Sequence, residues 1–318
     1  MRGTNDNTSD SGSCALVLRS SSTSVRNKAQ LPLSLVLSFV PRMLANGDRY
    51  SVDSATEFAG SFDDIVPDEL HPKYQAWLRA TFGAGAAKVG LLPRANDDLD
   101  AESVRKSLVY TVGWLGQDPD FIKQAVEQSA NWRDLPSATR GYIIKIAANA
   151  NPDFHAKLLH DVKGERDRAR RQEMYTALGA VRDAKRYEAA LELTLDPAID
   201  FREGQRLFNS ASNNEMFAVS ERFARAHKDA LMARLPKESV TGGIGGLYIG
   251  LLTATCDATK RADVEKYLRE NFESLPGGKR EIAQGLEEMD QCIAVRAQLT
   301  PALRGWLSGV KIPKPAKP

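Results

Sequence analysis

The stretch AESVRKSLVYTVGWLGQDPDFIKQAV, residues 101–126, decides how the rest of the chain is read. Val104, Leu108, Val109, Val112 and Leu115 fall at i, i+3 and i+4 spacings, so they form one apolar stripe on a helix opening after Asp100. Pro119 then sits near the start of a second helix whose inward residues are Phe121, Ile122, Ala125 and Val126. The tripeptide Pro119-Asp120-Phe121 returns 33 residues later as Pro152-Asp153-Phe154, and Phe154 maps onto Tyr187 after another 33. At about twice that offset Tyr110-Thr111 matches Tyr175-Thr176, Asp118 matches Asp183, Ala125 matches Ala190 and Glu127 matches Glu192. Helical patterns also start near Ser137, Pro152, Arg168, Ala184, Asn214, Arg261 and Gly278, whereas sustained two-residue alternation and Asn-Gly or Asp-Gly hairpin turns are missing. A period of about 33 residues with two helices each predicts an all-α fold. The architecture it suggests is an α-solenoid of stacked antiparallel helix pairs, HEAT/armadillo-like, in which each pair buries its apolar face on the next.

Composition fits this picture without adding a function. The 318 residues are 42% hydrophobic and 26% charged, and 43 Lys and Arg against 41 Asp and Glu leave a net charge of +2. That balance gives no broad basic field, so no nucleic-acid partner is expected. The longest apolar run, residues 31–44, is interrupted by Pro32 and Pro41 and is shorter than the ~20 residues of a membrane span. Residues 1–28 are rich in Ser, Thr, Asn, Asp and Gly and read as a disordered tail without a secretory-signal pattern. Residues 29–310 read as a single solenoid domain, and 311–318 (KIPKPAKP) as an extended Pro/Lys tail.

Chemistry-bearing motifs are few. His71, His155, His160 and His227 include no H-E-x-x-H pair, and His155 and His160 are five apart, which turns them away from a shared metal. They read as surface or half-buried helix residues. Thr241-Gly-Gly-Ile-Gly-Gly246 lacks the Lys-Ser/Thr of a phosphate loop and reads as a turn or a close helix approach. Asp97, Asp98 and Asp100 suit helix capping better than calcium, and Arg166, Arg168, Arg170 and Arg171, interleaved with acids, read as a solvated helix face. Trp114, Trp132 and Trp306 lie beside aliphatics and read as packing residues. Cys14, Cys256 and Cys292 show no metal spacing; Cys256 and Cys292, 36 apart, are either two buried thiols or a disulfide on neighbouring helices.

Three stretches, taken in order, carry a resemblance. VGLLPRANDDLDAESVRKSLVYTVGWLGQDP (89–119), EMYTALGAVRDAKRYEAALELTLD (173–196, followed by Asp200, Phe201 and Arg202) and YLRENFESLPGGKREIAQGLEEMDQCIAVRAQLTPALRGWL (267–307) resemble the C-terminal helical domain of the zinc aminopeptidases of the aminopeptidase N and endoplasmic-reticulum aminopeptidase type. The resemblance covers roughly residues 20–308. In that family a separate thermolysin-like domain cuts, using an H-E-x-x-H helix with a distant Glu and a G-x-M-E-N loop. No His or Met here is followed by Glu, so no catalytic or metal residue carries over, and zinc is expected only in a catalytic domain. The resemblance implies a non-catalytic module that caps the active-site chamber and gates peptide access. Its partners would be the catalytic domain, in cis or as a separate chain, and the peptide substrate. Arg202 and Arg206 are the candidate peptide-facing residues. Because some extracytoplasmic relatives carry cysteines near both places, the resemblance also favours a Cys256–Cys292 disulfide, and an extracytoplasmic location if the natural start lies upstream. The competing reading is a free-standing α-solenoid that binds a protein partner.

Overall fold

Short polar residues at helix starts set the frame. In the computed structural model, which describes residues 33–210, 214–234, 243–310 and 312, Asp48, Asp98, Asp118, Asn151, Asp167, Asp183 and Asp200 each cap a helix. Their side-chain oxygens accept from backbone N–H groups two or three residues ahead, which satisfies donors that the helix itself leaves free. The helices are α1 Leu33–Leu37, α2 Val40–Asn46, α3 Arg49–Gly60, α4 His71–Val89, α5 Leu99–Val109, α6 Pro119–Gln128, α7 Ser137–Ala150, α8 Pro152–Asp161, α9 Arg168–Gly179, α10 Ala184–Leu191, α11 Phe201–Gly204, α12 Asn214–Ala226, α13 Lys228–Arg234, α14 Gly243–Thr253, α15 Arg261–Phe272 and α16 Gly278–Gly309. Among the described residues there are no strands, so the fold is all-helical. The expected tail at 1–28, Cys14, Thr241 and all of the expected tail at 311–318 except Ile312 lie outside the described residues.

The structure refines the opening stretch in two places. The cap of α5 is Asp98 rather than Asp100, whose carboxylate instead pairs with Arg49 at 3.1 Å. The helix also does not run unbroken through Leu115, because Tyr110–Leu115 is a π-helical turn. There Gly116 N–H bonds the Thr111 carbonyl at 2.8 Å, and Gln117 leaves the turn at positive φ. Gly113 sits where a Cβ would come within 3.1 Å of Ile146 and 3.3 Å of Phe121, so α6 and α7 approach the turn closely.

The 33-residue register has a local structural counterpart. Asp118 and Asn151 cap α6 and α8 through the same two N–H groups, each ahead of a proline and a buried Phe121 or Phe154, and Tyr187 is buried at the matching place in α10. The same ion pair recurs between alternate helices. Arg140 of α7 grips Glu173 of α9 through Nε at 2.5 Å and Nη2 at 3.2 Å, and Arg171 of α9 grips Glu203 of α11 at 2.7 and 3.0 Å. The Asn149 side chain accepts from Arg182 N–H, again 33 residues on.

Packing is mostly between helices close in sequence: α2 on α3, α3 on α5, α6 on α7, α7 on α9, α10 on α12, and α15 on α16. The long helix α16 is the exception. Its start packs on α14 and α15, and the disulfide Cys256–Cys292 (Cα atoms 5.0 Å apart) ties it to the loop between them. Its far end returns to the first helices, where it packs on α1 and sets Trp306 edge-on against Trp77 of α4 at 4.9 Å. Lys73 donates to the Ser308 carbonyl at 3.1 Å and Arg304 pairs with Glu69. Leu303 and Leu307 are buried beneath this contact.

Candidate functional site

Around the π-helical turn, side chains from several helix pairs converge. Trp114, at 3% exposure, holds Lys145 Nζ of α7 at 4.2 Å from its ring centroid and the Arg182 guanidinium at 4.8 Å, while Tyr110 holds the same Lys145 at 4.9 Å. Each cation keeps polar contact while its stem covers an aromatic face. Asp63, in the turn after α3, completes the group: its carboxylate lies 3.8 Å from Arg182 Nη2, and its Oδ1 has no hydrogen-bond partner. Burial pushes the Asp63 carboxyl up, opposed by the charges of Arg182, His71 and Lys145. The cluster therefore gathers two cations over an aromatic floor beside one incompletely satisfied acid; the cations are suited to holding an anionic group of a ligand, and the Asp63 carboxylate opposes it when ionised.

Behind it one cation, Arg186, is anchored on backbone. Arg186 donates to the Ala148 and Asn149 carbonyls at 2.8 and 3.0 Å, closing the C-terminus of α7. His155 is fully buried next to it, deeper than a surface or half-buried position. Desolvation and the Arg186 charge lower its pKa to about 4 against a hydrogen bond to the Leu178 backbone. His160, by contrast, is 90% exposed and bonds Asp161.

Arg202 lies elsewhere, in α11. Its guanidinium folds back onto Asp200, Nε to Oδ1 at 3.1 Å and Nη2 to Oδ2 at 2.8 Å, and the pairing holds the Asp200 carboxyl below its ordinary range. With Pro197, Phe201 and Arg234 it lines an open depression of about 380 Å³. Arg206 is half-buried in the following turn, Gln205–Ser210. Arg202 is thus paired with its neighbour, as Arg182 is with Asp63 and Lys145 with the Tyr110 hydroxyl, and the latter two cations also lie over the Trp114 ring. Periodicity hid them, but one signal was present: Lys145 is the lone charge inside the apolar run Tyr142–Ala148.

Trp114 and Trp132 are buried and Trp306 half-buried; Arg170 and Arg171 are half-buried and bridge to Glu165 and Glu203. Gly243 opens α14 and Asp97 accepts from Arg94 N–H and pairs with the buried Arg105. No group of three or more His, Cys, Asp or Glu among the described residues could hold a metal ion, and no helix there is long and apolar enough to cross a membrane.

A family model for the ERAP1-like C-terminal domain matches residues 6–291. The chain belongs to that family. The ERAP1-like match spans α1 through the first half of α16; it takes in the Trp114 cluster and Cys256 and ends one residue before Cys292. A comparison with curated proteins finds no match. The ERAP1-like C-terminal match suggests a non-catalytic module of an aminopeptidase.

Proposed function

We propose that the chain is the chamber-capping module of a zinc aminopeptidase of the aminopeptidase N type, and that it limits which peptides reach a catalytic domain carried in cis or by a separate chain. The observation that carries this reading is the ERAP1-like C-terminal match over most of the chain. In this reading the helix pairs stack as a HEAT/armadillo-like α-solenoid, supported by packing between near neighbours and by the ion pairs repeated from α7 to α9 to α11. Zinc belongs to the catalytic domain, which would hold it with its own H-E-x-x-H residues. Lys145 and Arg182 are the cations we assign to the far end of the peptide, with Arg202 and Arg206 as a second, outer pair. The disulfide supports folding in an oxidising compartment.

The test is reconstitution. The purified chain should bind no stoichiometric zinc and release nothing from leucine 4-nitroanilide. A zinc aminopeptidase catalytic domain should bind it and gain a dependence of rate on peptide length. A fluorescent nonapeptide with a free carboxylate should bind the chain at least tenfold more tightly than its C-terminal amide, and Lys145→Ala/Arg182→Ala should erase that difference. If no catalytic domain binds and amidation changes nothing, the chain is a free-standing scaffold.

A further inference from the structure

One edge of the molecule carries charge that the near-neutral total conceals. Three connections meet there: Arg133 after α6, residues 162–167 between α8 and α9, and residues 196–200 between α10 and α11. Ion pairs join them into one network: Arg133 to Asp161 at 3.1 Å and to Glu165 at 3.6 Å, Lys163 to Asp196 at 2.7 Å, and Arg168 to Glu203 at 3.2 Å. The two signs are layered. The acids are inside, with Glu165, Glu203, Asp161 and Asp196 only 7, 8, 17 and 24% exposed. The cations are outside, with Arg133, Lys157, Lys163, Arg168 and Arg202 at 42, 54, 55, 75 and 75%, and Arg166 is exposed as well. Long cationic side chains reach over short carboxylates, so the outer layer is positive although the network is mixed.

Exposed acids at this edge are Asp134, Asp167, Glu192 and Asp200, and of these Asp167 and Asp200 are committed to capping α9 and α11. None of the exposed large apolar side chains (Leu35, Phe39, Tyr50, Leu92, Leu99, Leu247) belongs to these connections. The edge thus offers no wedge for a lipid surface and no platform on which bases could stack. Packed helices lie ~8–10 Å apart, so connections of successive pairs set cations in a row and not in a pocket. A row suits a linear polyanion. The Cys256–Cys292 disulfide belongs to an oxidising compartment, where linear polyanions are acidic polysaccharides rather than nucleic acids.

We propose that this edge binds an acidic polysaccharide bearing sulfate or carboxylate groups, independently of any peptide-handling role. The test uses heparin as the probe and the full chain, with Kd measured by calorimetry between 50 and 300 mM NaCl. The wild type should bind heparin with a steep salt dependence. Lys163→Ser/Arg166→Ser/Arg168→Ser should weaken binding at least tenfold and lower the slope of log K against log salt by about two to three. Lys123→Ser/Lys266→Ser/Lys279→Ser removes three exposed positive charges elsewhere and should bind within twofold of wild type. Matching thermal melts of the three proteins keep the comparison independent of folding. Equal weakening in both variants, or a wild type that heparin does not bind at 50 mM NaCl, overturns the proposal. Tighter binding to duplex DNA or to anionic phosphatidylserine vesicles, lost in the first variant, overturns the assignment to a polysaccharide.

Discussion

His155 makes the stability of this chain fall as pH drops below neutrality. The imidazole is 2% exposed, its Nε2 has no hydrogen-bond partner, and Arg186 and Asp183 are the charges that act on it. Desolvation, reinforced by Arg186, lowers its pKa from the ordinary 6.5 to about 4, so the folded state holds it neutral. The unfolded chain protonates near 6.5 and the folded chain does not, so the unfolded state binds more protons between those values and stability rises with pH across that window. At about 1.4 kcal/mol per pH unit, this one group removes about 2 kcal/mol on going from pH 7.5 to 5, and about 3 kcal/mol by pH 4. The measurement is urea unfolding of wild type and His155→Phe at pH 7.5, 6 and 5. The variant should be less stable at pH 7.5, through loss of the Leu178 bond and imperfect ring fit, yet its stability should fall by about 2 kcal/mol less than wild type between pH 7.5 and 5. Parallel pH profiles would refute the reasoning, because the group would then titrate alike folded and unfolded.

Trp306→Ala removes the edge-on contact with Trp77 that brings the end of α16 back to α4; it should cost about 2 kcal/mol, read as a lower urea midpoint, with early hydrogen exchange in α1 and the end of α16. Arg140→Met leaves the Glu173 carboxylate, 20% exposed, without its bidentate partner and should cost about 3 kcal/mol, whereas Arg140→Met/Glu173→Leu should recover at least half of the loss in the same assay. Cys256→Ser/Cys292→Ser opens a 36-residue span and should lower stability by about 2–4 kcal/mol, matched by treating the wild type with reductant.

Much of the local structure was legible because helix starts are written in short-range chemistry. The starts at Ser137, Pro152, Arg168, Ala184, Asn214, Arg261 and Gly278 coincide with the observed ones, since an apolar stripe acts within a few residues, helped by an Asn or Asp cap before Pro152, Arg168 and Ala184. Where two caps compete, as at Asp98 and Asp100, sequence cannot choose: both carboxylates lie within reach of the same turn, and a tertiary partner, Arg49, takes one of them away. The π-helical turn was equally hidden, because Tyr110–Leu115 continues the apolar stripe and only the close approach of α6 and α7 at Gly113 marks it. For the candidate site, Trp114 and the Arg202 region stood out in the sequence, while Asp63, Lys145 and Arg182 did not. These three come from separate helix pairs and share no spacing.

By itself, then, the sequence determined an all-helical chain, the starts of many of its helices, the faces those helices bury and the family to which the ordered stretches point. Amphipathic periodicity states that a face is buried but not what covers it. Tertiary structure decided that α16 turns back so that Trp306 meets Trp77, that His155 is buried, and that Lys145 and Arg182 share the Trp114 ring. Each of these depends on groups far apart in the chain, whose meeting is set by the summed packing of every helix between them.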